Sequence, residues 1–185
     1  RSAPDPEAHP WDPTHSMSNV AGGGTVAVAG GRAFTFRYTE TDELLRAAGC
    51  RVEIFDPLRD TCLPENTSAL YLGGGFPEVH ADELARNEPM LSEIRSAVLD
   101  GMPTVAECAG LLYLSSTLDG LPMVGALPTD AVMTHRLTMR YPTASSAADS
   151  LLGSAGLTVT GHEFHRTIVT PQHGETAAWQ FDDIT

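Results

Sequence analysis

The segment that decides the fold is Pro103-Thr-Val-Ala-Glu-Cys-Ala-Gly-Leu-Leu-Tyr-Leu114. Its first half is a short apolar run typical of a buried strand, and its second half predicts a helix from about Ala109 to Leu118. Cys108 lies at the junction, where small residues at positions 106 and 110 fit a sharp strand-to-helix turn of the nucleophile-elbow type. Such a turn holds its side chain above the edge of a sheet, close to the positive end of the helix. The pattern therefore predicts a reactive thiol at Cys108 rather than a buried core cysteine.

Strands and helices alternate on the amino-terminal side of this turn. Apolar runs typical of buried strands occupy Val26–Ala29, Arg51–Phe55, Ala69–Leu72 and Pro103–Glu107. Helices are predicted between them, one from a capping residue at Thr39 to Gly49 and one from a capping residue at Asn87 to Gly101. This alternation predicts an α/β fold, doubly wound and flavodoxin-like, with a mostly parallel sheet and helices on both faces. Strand-like pieces in the C-terminal third predict additional antiparallel or edge strands at Ala131–Met133, Leu157–Thr160 and Glu163–Ile168.

Three consecutive glycines follow one of the predicted strands, in Leu72-Gly-Gly-Gly-Phe-Pro-Glu78. Glycines at this place let the backbone approach a ligand closely, and their N–H groups can stabilise an oxyanion. The segment does not fit a phosphate-binding loop because the Lys-Ser/Thr ending is absent. We also expect the peptide before Gly75 to turn easily, so that its N–H is presented only when a neighbouring surface holds it.

A cysteine nucleophile needs a base, and the segment Gly161-His-Glu-Phe-His-Arg166 offers two histidines. In an extended strand His165 and Glu163 point to one face, whereas His162 and Phe164 point to the other. We favour His165 as the base and Glu163 as a supporting residue. Position 167 is Thr, so the carboxylate that follows the histidine by two residues in many related hydrolases is absent.

The composition limits the classes of partner. The 185 residues include 24 acidic and 11 basic side chains, for a formal net charge of −13, and every basic residue is Arg. An acidic surface repels phosphate backbones, so no nucleic-acid partner is expected. The three cysteines, Cys50, Cys62 and Cys108, lack zinc-type spacing, so no metal site is predicted and a reducing compartment, the cytoplasm, is favoured. No apolar run approaches the length of a membrane-spanning helix, and no membrane partner is expected.

Residues 1–24 differ in composition from the rest of the chain. They contain four prolines, two histidines and a glycine run, which predicts a flexible linker or tail before a single domain at 25–185. The chain starts without an initiator methionine, and we interpret it as the downstream piece of a longer polypeptide.

Taken together, five segments resemble the class I glutamine amidotransferase (triad-type glutaminase) domain found at the carboxyl end of cobyrinic acid a,c-diamide synthases. The resemblance extends from about Val26 to Pro171. It rests on Ala33–Tyr38, Leu70–Glu78, Ala106–Leu114, Met133–Thr138 and Gly161–Arg166.

The resemblance implies a domain that hydrolyses L-glutamine and passes ammonia to a synthetase domain. On the family pattern Cys108 attacks the glutamine amide, and His165 removes the thiol proton and later protonates the departing ammonia. The backbone N–H groups of Gly75 and Ala109 would hold the oxyanion, with Gly74 in the same substrate-binding loop. Family members often have Gly at position 109, a difference that the turn should tolerate. The third catalytic group is not identified by the resemblance.

The resemblance also implies partners outside this chain. An ATP-binding synthetase domain, expected before the linker, would use ATP and magnesium to activate the a and c carboxylates of a corrin acid. No cofactor is expected to bind the present domain. The sequence leaves open whether the substrate holds cobalt, lacks it or is another tetrapyrrole, and it leaves the oligomeric state open.

Two other interpretations remain at this stage. One is another cysteine hydrolase with the same elbow, such as a member of the intracellular protease-like family. The other is a non-catalytic domain that keeps the fold and serves as a scaffold for a synthetase partner.

Overall fold

The computed structural model describes residues 11–16 and 23–181, and its centre is a four-stranded parallel sheet. The strands are β1 (Thr25–Ala29), β2 (Arg51–Phe55), β3 (Thr67–Leu72) and β4 (Thr104–Ala106). Their order across the sheet is β2-β1-β3-β4. All four predicted strands are confirmed, and β1 is buried along its whole length, as a central parallel strand must be.

Helices cover both faces of this sheet. They are α1 (Thr39–Ala47), α2 (Ala81–Arg86), α3 (Glu88–Leu99) and α4 (Ala109–Leu114), and a 3-10 turn at Pro77–His80 precedes α2. Val26 and Val28 of β1 share a cluster with Leu45 of α1. The alternate residues of β1, Ala27 and Ala29, belong to the main core with α2, α3 and α4. The doubly wound α/β fold predicted from the sequence is therefore confirmed.

The helix after Cys108 is shorter than predicted. It ends at Leu114 rather than Leu118, and Ser115 has an extended backbone with ψ 167°. The Ser115 hydroxyl lies 2.5 Å from the carbonyl oxygen of Leu112 and 2.9 Å from that of Thr117. These hydrogen bonds compete with helix continuation, and the next residues form a strand instead.

The predicted helix caps are only partly correct. Thr39 is the first residue of α1, the capping position belongs to Tyr38, and no side chain caps this helix. Asn87 does occupy the capping position of α3, but its side-chain amide donates to the carbonyl oxygens of Pro57 and Asp60 instead. Tertiary contacts with the loop after β2 therefore replaced a local cap.

Extra strands in the C-terminal part are confirmed. The strands are β5 (Thr117–Leu118), β6 (Leu121–Pro122), β7 (Asp130–Arg140), β8 (Thr143–Ser146), β9 (Thr158–Thr160), β10 (Glu163–Thr170) and β11 (Trp179–Phe181). They form two further sheets, in the orders β10-β7-β5-β6 and β11-β8-β9. The antiparallel pair of β7 and β10 carries the predicted base, His165.

The predicted linker at 1–24 and the last residues of the predicted domain lie mostly outside the described residues. Within the linker, Pro13–Ser16 forms a 3-10 turn. None of the helices in the described ranges is long and apolar enough to cross a membrane.

Candidate active site

Cys108 occupies the sharp turn between β4 and α4. Its backbone has φ 51° and ψ −110°, a conformation that costs a non-glycine residue free energy. Two hydrogen bonds to β3 and its following loop hold the turn, from Glu107 N–H to Leu72 O and from Gly110 N–H to Gly73 O, both 3.0 Å long. The side chain is exposed. The strained turn that the sequence predicts is present, and it presents the thiol at the carboxyl edge of the parallel sheet.

Gly110 is required at this turn for a steric reason. A Cβ atom at position 110 would lie 2.2 Å from Leu72 O and 2.7 Å from Leu72 Cβ. The elbow can therefore lie against β3 only when position 110 has no side chain.

The three glycines after β3 form the neighbouring loop, because β3 and β4 are adjacent parallel strands. None of the three has a positive φ, so conformational freedom is not the reason for glycine here. A Cβ atom on Gly75 would lie 2.1 Å from Ala33 O, and one on Gly74 would lie 3.1 Å from Phe36 Cβ. The close neighbour is thus the chain's own segment Ala33–Phe36, whereas the sequence suggested a close approach by a ligand.

The two N–H groups predicted to bind an oxyanion are both available. Neither Gly75 N–H nor Ala109 N–H donates a hydrogen bond to another atom of residues 11–16 and 23–181. The loop and the elbow that carry them are joined by the hydrogen bond from Gly110 to Gly73. An oxyanion site requires N–H donors that are not engaged elsewhere, and both predicted donors meet this requirement among the described residues.

His165 lies on β10, and the strand has the predicted alternation. Glu163, His165 and Thr167 are half-buried, whereas His162 and Phe164 are exposed. The ring nitrogen Nδ1 of His165 is 2.9 Å from Thr167 O, and Nε2 is 2.7 Å from Glu163 Oε1. Both nitrogens therefore face hydrogen-bond acceptors.

Glu163 supplies the carboxylate that the sequence lacks after the histidine. Besides His165, it contacts Arg140, which lies opposite it on β7. Burial alone would raise the pKa of the Glu163 carboxyl, but the hydrogen bonds from His165 and Arg140 outweigh burial and lower this pKa. Glu163 is therefore a carboxylate at neutral pH, able to orient the imidazole.

Cys108 and His165 are carried by different sheets. No hydrogen bond joins the Cys108 sulfur to either ring nitrogen within the part of the chain that is described. For His165 to take a proton, one of its ring nitrogens must first leave Glu163 or Thr167. The described conformation thus contains the thiol, the oxyanion donors and the imidazole, with the imidazole held by other partners.

A contact of Glu107, the residue before Cys108, was missed by the sequence analysis. Tyr71 donates from its hydroxyl to Glu107 Oε1 at 2.7 Å, which ties the residue before Cys108 to β3. Burial, together with Glu107, raises the pKa of Tyr71 to about 12, so the phenol stays a hydrogen-bond donor. Predicting this contact between Tyr71 and Glu107 requires the register of β3 and β4, which the sequence alone does not provide.

The other cysteines lack this environment. Cys50 is half-buried after α1 and Cys62 is exposed in a loop, and all three cysteines are free.

Comparison with solved structures supports the fold. The chain aligns with PurLQS from Thermotoga maritima at a TM-score of 0.60, with 13% identity over 86% of this chain and 75% of that chain. It aligns with a putative GMP synthase component from Thermoplasma acidophilum at a TM-score of 0.58, with 16% identity over 85% of this chain and 73% of that one.

Curated relatives are much closer in sequence. The chain is 52% identical to the hydrogenobyrinate a,c-diamide synthase of Thermobifida fusca over 98% of its length, and 54% identical to that of Streptomyces coelicolor over 83%. The cobyrinate a,c-diamide synthase of Synechococcus sp. is 44% identical over 77% of the chain. The chain spans only 40% of the Thermobifida protein and 32% of each of the other two.

A family model for the CobB/CobQ-like glutamine amidotransferase domain matches residues 25–184. The start of this match coincides with the first residue of β1. With the elbow at Cys108, the glycine loop and the relatives of about 50% identity, this match shows that the chain belongs to the CobB/CobQ-like glutamine amidotransferase domain family.

Proposed function

We propose that this chain hydrolyses the side-chain amide of L-glutamine and that the intact protein containing it uses the ammonia to amidate the a and c carboxylates of hydrogenobyrinate. The observation that carries the proposal is the strained turn at Cys108, beside two N–H groups that have no acceptor among the described residues. Family membership supports glutamine as the substrate. It also disfavours the protease-like alternative.

The proposed hydrolysis has two stages, formation of a thioester on Cys108 and hydrolysis of that thioester. Cys108 sulfur attacks the amide carbon while its proton passes to His165, and the N–H groups of Gly75 and Ala109 stabilise the oxyanion. His165 then protonates the departing nitrogen, ammonia leaves, and a thioester remains on Cys108. Water attacks the thioester with His165 again accepting a proton, which releases glutamate and the free thiol. Glu163 orients the imidazole through its contact with Nε2.

The acceptor belongs to the rest of the intact protein. Relatives named for hydrogenobyrinate are 52% and 54% identical to this chain, against 44% for the cobyrinate synthase of Synechococcus. This difference favours the cobalt-free acid as the substrate. ATP and magnesium would bind the synthetase part rather than this domain, and the absence of lysine from the chain supports that assignment. The three free cysteines support a cytoplasmic location.

The test replaces the nucleophile in the intact protein. We expect Cys108→Ser to abolish amidation of hydrogenobyrinate with glutamine and MgATP, whereas ammonium chloride still supports it, because Cys108 serves only glutamine hydrolysis. Diamide formation followed by mass spectrometry measures both rates. Cys62→Ser, in an exposed loop, is the matched control and should retain both activities.

Three outcomes would contradict the proposal. If ammonia-driven amidation fell as far as the glutamine-driven rate in a folded Cys108→Ser protein, the separation of two sites would be wrong. If the wild-type protein released no glutamate from glutamine, the domain would be a scaffold. Faster amidation of cobyrinate than of hydrogenobyrinate would reverse the choice of acceptor.

A further inference from the structure

The segment Ala33–Phe36 is hydrogen-bonded to the glycine loop on both sides of Gly75. Phe36 N–H donates to Gly74 O at 3.1 Å, and Phe76 N–H donates to Ala33 O at 3.0 Å. Phe36 and Gly74 also form an isolated antiparallel bridge. The loop between β3 and Pro77 is therefore paired with a segment outside the central sheet.

The first of these hydrogen bonds determines the direction of the Gly75 N–H. A trans peptide is planar, and its C=O and N–H bonds point in opposite directions. Holding Gly74 O against Phe36 N–H therefore directs the N–H of Gly75 away from Phe36. The sequence predicted a peptide that turns easily, and the structure has it hydrogen-bonded to the chain itself.

The segment is anchored in the core beside the elbow. Phe34 is 3% exposed, and its ring meets the ring of Tyr113 edge-on with centroids 5.5 Å apart. Tyr113 belongs to α4, the helix whose first residue is Ala109. The two N–H groups of the oxyanion site are thus connected through Phe34 as well as through the hydrogen bond from Gly110 to Gly73.

We propose that Phe36 is a positioning residue for glutamine hydrolysis, whose backbone N–H holds Gly74 O so that Gly75 N–H faces the oxyanion. This inference rests on the proposed function, because it requires an oxyanion to form beside Cys108. Phe36 acts through Gly75 and need not touch the substrate. Its exposed ring, edge-on to Phe76 with centroids 5.1 Å apart, is not the group that acts.

The first test compares Phe36→Pro with Phe36→Ala in the intact protein. Both substitutions remove the phenyl ring of Phe36, but only proline also removes the backbone N–H. Losing one oxyanion donor slows turnover by on the order of a hundredfold, so we expect glutaminase kcat in Phe36→Pro to be about a hundredfold below that of Phe36→Ala. KM for glutamine should stay equal in the two variants, because the oxyanion exists only after attack has begun.

Alkylation of Cys108 by iodoacetamide separates this effect from a general loss of structure. The reaction needs an exposed thiol but no oxyanion donors. Its rate, measured by mass spectrometry on the peptide that carries Cys108, should be the same in both variants. A parallel loss of alkylation and turnover in Phe36→Pro would mean that proline distorted the elbow itself, and would overturn the specific role of the N–H.

A second pair of variants tests the same contact without proline. Alanine at position 74 would place Cβ 3.1 Å from Phe36 Cβ and 3.2 Å from Phe36 Cδ2, which pushes the segment away and lengthens the hydrogen bond. Phe36→Gly removes both of those atoms. We expect Gly74→Ala to lower kcat about tenfold or more in the otherwise wild-type protein. In a protein that already carries Phe36→Gly, adding Gly74→Ala should lower kcat much less, because the atoms that it would meet are gone.

The outcomes distinguish this inference from the proposed function. If the wild type hydrolyses glutamine and Cys108→Ser does not, but Phe36→Pro equals Phe36→Ala and the double variant shows no recovery, then only the positioning role fails. If the wild type does not hydrolyse glutamine at all, the proposed function fails first.

Discussion

A single carboxylate, Glu163, links the candidate base to the rest of the C-terminal sheet. It lies two residues before His165 and contacts both His165 and Arg140. Because side chains in a strand repeat every two residues, a carboxylate two positions before the histidine is as close to it as one two positions after. The carboxylate that contacts the candidate base is therefore on the amino-terminal side of His165.

Replacing each histidine of this segment tests the choice of base. We expect His165→Ala to lower glutamine hydrolysis by about 10²–10⁴-fold, the usual contribution of a positioned base. His162→Ala should retain most of the activity, because His162 lies just before β10 and is exposed, whereas His165 is half-buried. Steady-state glutamate release measures both variants. Equal losses, or the larger loss in His162→Ala, would mean that His165 is not the base.

At the scale of elements, the site depends on two adjacent strand ends. β3 and β4 pair in parallel with Leu72 opposite Ala106, so the glycine loop and the elbow leave the sheet side by side. The fold places ligands at this edge because the carboxyl ends of parallel strands leave a crevice there. The helix α4 that follows is only six residues long, yet five of them are buried, so packing rather than helix propensity holds it.

The contact between the elbow and β3 can be tested at Gly110. We expect Gly110→Ala to lower the free energy of unfolding by about 1–3 kcal/mol, the usual cost of overpacking, because its Cβ would meet Leu72 O at 2.2 Å. Glutamine hydrolysis should fall as well, since the elbow must move away from the glycine loop. Urea denaturation followed by circular dichroism measures the stability.

Gly174→Ala is the control for this experiment. A Cβ there meets no atom within 4 Å, and Gly174 has no positive φ. Its stability should stay close to that of the wild type. If Gly110→Ala had the same free energy of unfolding as the control, the elbow would accommodate the added Cβ without losing stability, and the steric argument would be wrong.

At the scale of the whole molecule, the main feature is that no hydrogen bond joins the Cys108 thiol to the candidate base, His165, within the described residues. The thiol lies at the end of β4, whereas the imidazole lies on β10 in another sheet with both nitrogens facing acceptors. The two hydrogenobyrinate a,c-diamide synthases are each about two and a half times as long as this chain, because the aligned parts make up only 40% and 32% of their lengths.

We expect the isolated chain to hydrolyse glutamine slowly and the intact protein, with its tetrapyrrole acid and MgATP, to be faster by about 100-fold or more. The reason is that His165 must leave one of its present acceptors before it can serve Cys108, and binding of an acceptor substrate can favour that rearrangement. Coupled assays of glutamate release measure both preparations. Equal rates for the isolated chain and the complete system would show that the resting site is already competent.

Local features of the chain were predictable from its sequence. The strands, the turn at Cys108 and the alternation around His165 depend on local sterics and on a fixed side-chain period of two. The end of α4 at Leu114 was not predictable, because Ser115 binds carbonyl oxygens instead of continuing the helix. Local propensity could not reveal that choice.

The contacts that complete the site were decided by the tertiary structure alone. Arg140 reaches Glu163 through the register of β7 and β10, and Phe36 reaches Gly74 across 38 positions of the chain. Both contacts require segments far apart in sequence to meet with a definite register, and packing of the whole core selects that register. The sequence by itself therefore determined the turn at Cys108 and the side-chain alternation around His165, because both depend on local sterics, whereas tertiary packing decided which partners hold these residues.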